Sequence, residues 1–102
     1  MKIIINKNEP TEKSFFINNV REQYYPEMDE YHLTVSIPYE ETIMDDIRNF
    51  IQKIKINKIT VYNNNNKIVY ESSAFTEILN FNHTVIDGFA SDVIYLELRK
   101  KE

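Results

Sequence analysis

Hydrophobic and polar residues alternate most regularly over Glu30–Tyr39. There Tyr31, Leu33, Val35, Ile37 and Tyr39 interleave with Glu30, His32, Thr34, Ser36 and Pro38. Period two sustained over ten residues predicts a strand with one buried and one wet face. Pro38 marks its end or an edge position. Asp92–Arg99 alternates in the same way, with Ile94, Leu96 and Leu98 on one face and Val93, Tyr95 and Glu97 on the other. Between these segments the period changes. Ile43, Ile47, Phe50, Ile51 and Ile54 form a single helical stripe, predicting a helix over about residues 42–54 with one face on a sheet. Thr42 suits its N-cap, with Asp45 three residues on as a capping-box variant. Asp45 and Asp46 near the start and Lys53 and Lys55 near the end complement the helix dipole. Ile47 and Phe50 are the expected core residues of this stripe.

The helix is followed by two β-branched and aromatic runs around four asparagines, within Lys58–Glu71. Asparagine tolerates positive φ better than other residues that carry a Cβ. The segment therefore reads as an antiparallel hairpin with its tip at Asn63–Asn66 and with Ile59 and Val61 on one face. Lys2–Asn6 reads as a short strand. Asn8–Thr11, with Pro10, reads as a turn. Ser14–Val20 is a weaker strand broken by Asn18-Asn19, and residues 21–29 read as a connection. Residues 74–86 fit either a strand or a helix; the poor helix formers Asn80–Thr84 favour a strand in the second half. Asp87-Gly88 reads as a turn. Together these elements predict a single α+β domain, residues 1–102. It is expected to hold a mainly antiparallel sheet or sandwich of five to seven strands with one principal amphipathic helix.

Composition narrows the function more by exclusion than by indication. The 102 residues are 42% hydrophobic and 27% charged, as expected of one globular domain. With no cysteine, a disulfide scaffold and thiolate metal sites are out of reach. A single glycine leaves no room for a glycine-rich phosphate loop. The formal net charge of −4 speaks against binding a nucleic-acid backbone. No segment reads as a signal peptide or membrane span, so a cytoplasmic location in a bacterial host is expected, with incorporation into a virion as an extension of it. His83 and Asp87, four apart, would suit a metal only on a helix. His32 lies on the polar face of its strand and reads as a surface histidine, because no matched carboxylate is visible in the sequence. Asp45-Asp46 is accounted for by the helix dipole. No cofactor, metal or small-molecule substrate is expected, and no enzymatic activity.

The seven tyrosines are the more suggestive feature, since tyrosine is enriched at protein interfaces. Tyr24, Tyr25, Tyr62, Asn64, Asn65 and Tyr70 are the candidate interaction residues. Tyr62 and Tyr70 flank the asparagine tip and are placed to pair across the hairpin or mark a contact surface. Glu30–Tyr39 and the last strand are candidate sheet edges, open to pairing with another chain. Twelve asparagines, together with abundant isoleucine and lysine, fit AT-rich codons.

The order of alternating strand (Glu30–Tyr39), helix, hairpin (Ile59–Tyr70) and closing alternating strand (within Val85–Leu98) resembles small accessory proteins. These are encoded in the structural modules of phages and prophages of low-GC bacteria. The resemblance is one of pattern and size, and it carries no catalytic residues. It implies a non-enzymatic virion or assembly role through a protein partner or self-association, without nucleic acid or membrane. Two rival readings are a small acidic inhibitor of a basic host protein, such as a nuclease, and an enzyme without a recognisable motif.

Overall fold

The computed structural model describes residues 1–85 and 92–100; the Asp87-Gly88 turn lies outside them. Eight strands and one helix follow in the order β1 (Lys2–Ile5), β2 (Lys13–Phe16), β3 (Asn19–Tyr25), β4 (Glu30–Pro38), α1 (Glu41–Lys53), β5 (Ile59–Tyr62), β6 (Ile68–Ser72), β7 (Phe75–Val85) and β8 (Asp92–Lys100). They form two antiparallel sheets. Sheet A has the order β2-β1-β5-β6 and sheet B the order β3-β4-β8-β7. The α+β class and the antiparallel pairing agree with the sequence pattern. The count exceeds the expected five to seven strands because two segments change sheet partway. Residues 13–25 leave sheet A at Ile17-Asn18 and enter sheet B. Residues 68–85 do the same at Ser73-Ala74. Asn18-Asn19, read as a flaw in one strand, is therefore a corner between two. The supposed connection 21–29 is mostly strand β3.

The alternating positions face inward from both sheets. Ile3, Ile5, Ile59 and Val61 of sheet A meet Leu33, Val35, Ile37, Ile94, Leu96 and Leu98 of sheet B in one buried cluster. Each such side chain contributes about 1.5–3 kcal/mol relative to exposure. Contrary to the edge reading, β4 and β8 pair with each other at the centre of sheet B. Pro38 is the last paired residue, opposite Val93, where its missing N–H costs least. Residues 75–85 are strand throughout, with register shifts between Phe75 and Glu77 and between Ile78 and Asn80. Those irregularities displace the alternation and give the segment its helix-like spacing.

Helix α1 crosses from sheet B to sheet A. Its first helical bond runs from the Met44 N–H to the Glu40 carbonyl at 2.9 Å. Glu40 is thus the N-cap and makes no side-chain cap bond. Thr42 already lies within the first turn and cannot cap it, which corrects the sequence reading. Met44 and Ile47 are buried in the common cluster, while Ile43, Phe50 and Ile51 pack at its margin. The stripe is rotated by part of a turn from the one expected, so Phe50 is half-buried. Lys13 on β2 pairs with Asp46 at 2.8 Å and ties the helix to sheet A.

A buried asparagine closes the same end. Asn6 is 0% exposed and has a left-handed φ of 55°. Its side-chain oxygen accepts from the backbone N–H groups of Asn57 (2.7 Å) and Lys58 (3.2 Å). Its amide donates to the Lys55 carbonyl (2.8 Å) and to Thr11 Oγ1 (3.0 Å). One side chain so anchors the segment between α1 and β5 to the end of β1.

Candidate functional site

The asparagine hairpin forms as its sequence indicates. Asn66 takes the positive φ, 59°, and Asn63 Oδ1 accepts from the N–H groups of Asn65 and Lys67. The register shifts between Val61 and Tyr62, so Tyr62 opposes Ile68 and Val61 opposes Tyr70. Tyr62 and Tyr70 therefore do not pair; they occupy opposite faces of sheet A. Tyr70 points inward, where burial and the Glu22 carboxylate push its phenol up to about 12.

Tyr62 belongs to a row that crosses the outer face of sheet A. Lys2 opposes Phe16 on one side and Tyr62 on the other, and Tyr62 opposes Ile68. Phe16 is 78% exposed, and Ile68 and Val69 are 50% and 52% exposed. Lys2 and Lys7 hold their ammonium groups 5.5 and 5.0 Å from the Tyr62 ring centroid, and Lys7 also donates to the Tyr62 hydroxyl. Phe16, Lys2, Asn63, Asn64 and Asn66 line a shallow depression of about 200 Å³ at the hairpin end of this row. Asn64 and Asn65 are exposed beside it. Phe16 was missed in the sequence, although the doublet Phe15-Phe16 on a strand must send one ring to each face.

The remaining candidates lie elsewhere, on sheet B. Tyr24 is exposed; its ring is 4.7 Å from that of Tyr31, and its hydroxyl donates to Asp29 at 2.7 Å. Between β3 and β4 the turn presents Met28, 54% exposed, with Glu27 and Asp29 on either side. Beside it Met28, Tyr31, Glu77, Arg99 and Lys100 line a second shallow depression, of about 350 Å³. Tyr25 covers His32, centroid to centroid 4.5 Å.

His32 is not a surface histidine; it is 8% exposed. Its Nε2 is 2.9 Å from Glu30 and its Nδ1 3.8 Å from Glu97. Arg99 bonds Glu30 at 3.2 Å and grips Glu77 with two nitrogens. The hydrogen bond with His32, helped by the charge of Arg99, holds Glu30 below its ordinary carboxylate value. The partners come from β4, β7 and β8, which is why single-strand reading did not reveal them. Nε2 is thus committed to Glu30 and one ring face lies under Tyr25, while Nδ1 faces Glu97 beyond hydrogen-bond distance. His83 pairs with Asp92 at 3.0 Å and stacks on Tyr39 at 3.7 Å; Asp87, suggested with it as a metal pair, lies outside the described residues.

Among the described residues no group of three or more His, Asp or Glu side chains is disposed to hold a metal, and no helix is long and apolar enough to cross a membrane. Comparison with protein-family models, with curated proteins and with solved structures gives no match.

Proposed function

We propose that this chain is a non-enzymatic protein-binding or assembly module, of the kind that serves as a virion accessory or assembly protein of a phage or prophage. The observation that carries the reading is the outer row Phe16, Lys2, Tyr62 and Ile68. An aromatic ring left largely in water forgoes about 25 cal/mol for each Å² it keeps exposed. The row leaves apolar area uncovered at each end, Phe16 on β2 and Ile68 with Val69 on β6, with Lys2 and Tyr62 between them. The row ends on β6, an edge strand of sheet A among the described residues, and edge strands are where a partner strand can add. Tyr62 and Lys2 at its centre combine contact area with a polar end, as interface residues do.

The inhibitor reading has less support. Blocking a basic surface calls for acids gathered on one face. Here they divide between the start of α1 (Glu40, Glu41, Asp45, Asp46) and the region where the β3–β4 turn (Glu27, Asp29) meets the outer face of sheet B. On that last face Arg99 and His32 engage Glu30, Glu77 and Glu97.

Light scattering and crosslinking of the purified chain, with pull-down from the native source, test the module reading. Self-association or a stoichiometric protein partner, lost on Phe16→Ser, is the expected result. A strictly monomeric chain without a partner, showing turnover of a small substrate, would sink it.

A further inference from the structure

We draw no further inference here: the strongest candidate, the half-exposed Ile68 and Val69 on the edge strand β6 as a docking place for a partner strand, belongs to the surface already described, and nothing in the structure shows what covers it.

Discussion

The outer faces of the two sheets are made from similar strands and end in opposite conditions. On sheet B the polar groups satisfy one another. His32 lies between Glu30 and Glu97, Arg99 between Glu30 and Glu77, and Asn82 accepts from Thr84 while donating to Asn80. On sheet A the central groups meet across the row, but the apolar ends stay in water: Phe16 on β2, Ile68 and Val69 on β6. A face whose charges are internally paired has little to gain from a partner, since docking would first have to desolvate those pairs. A face with exposed apolar area gains from every Å² it covers. Polar groups are paired on both faces; the apolar side chains left exposed at the ends of sheet A are what separates them.

The largest expected effect breaks sheet A itself. Asn6→Ala strands the Asn57 and Lys58 N–H groups and the Lys55 carbonyl, and it forces alanine into a left-handed conformation. Each unsatisfied buried group costs about 1–3 kcal/mol, and the backbone about 1–2 more. The expected loss is at least about 3 kcal/mol in denaturant unfolding. Asn6→Gly, free of the backbone cost, should lose less. Equal losses for the two would show that φ at this position carries no strain.

His32→Ala tests whether the sheet B network is truly closed. It removes a buried ring and leaves Glu30 and Glu97 without their shared partner. The expected destabilisation is about 1–3 kcal/mol, measured by urea unfolding with an unchanged m-value. A change within about 0.5 kcal/mol, as at ordinary surface positions, would mean that the network contributes nothing and the contrast between the faces is one of appearance.

The two histidines show what single-strand pattern could and could not disclose. Alternation placed Leu33, Val35, Ile37, Ile94, Leu96 and Leu98 on the core face correctly, because burial follows period two along a strand. It also placed His32 on the opposite face. It could not bury His32 there, because Tyr25, Glu97 and Arg99 arrive from other strands. The tip at Asn63–Asn66 was legible because four asparagines between β-formers have few alternatives. The sheet changes at Ile17-Asn18 and Ser73-Ala74 were not: the break at Asn18-Asn19 was visible, but a local interruption of the period does not say that the chain passes to another sheet. Phe16 lay hidden in a run read simply as strand. Its exposure depends on nothing packing over β2, which is a property of the fold.

The Glu30 carboxylate supplies a pH test of sheet B. Its folded-state pKa is lowered from the ordinary 4.5. Its share of stability is therefore fully present above that value and disappears as pH falls through the lower, folded-state value. Unfolding curves should show stability falling in acid, and Glu30→Gln should make that fall shallower. Parallel curves for the two proteins would show that Glu30 gains nothing from His32 and Arg99 in the folded state.

The smallest effect on stability is expected at Phe16, and there the contrast is sharpest. Phe75, 3% exposed, should cost about 3–5 kcal/mol on truncation to alanine, as buried aromatics do. Phe16, on the other sheet, has no packing to lose on its exposed face. Phe16→Ser should change unfolding of the dilute monomer by no more than about 0.5 kcal/mol. The measurement belongs at low concentration, because association would add a concentration-dependent term to the apparent stability. At higher concentration the same substitution should abolish any rise in melting temperature that the wild type shows with concentration. A Phe16 whose removal unfolds the dilute chain would be a core residue, and sheet A would then lose its claim to be the open face.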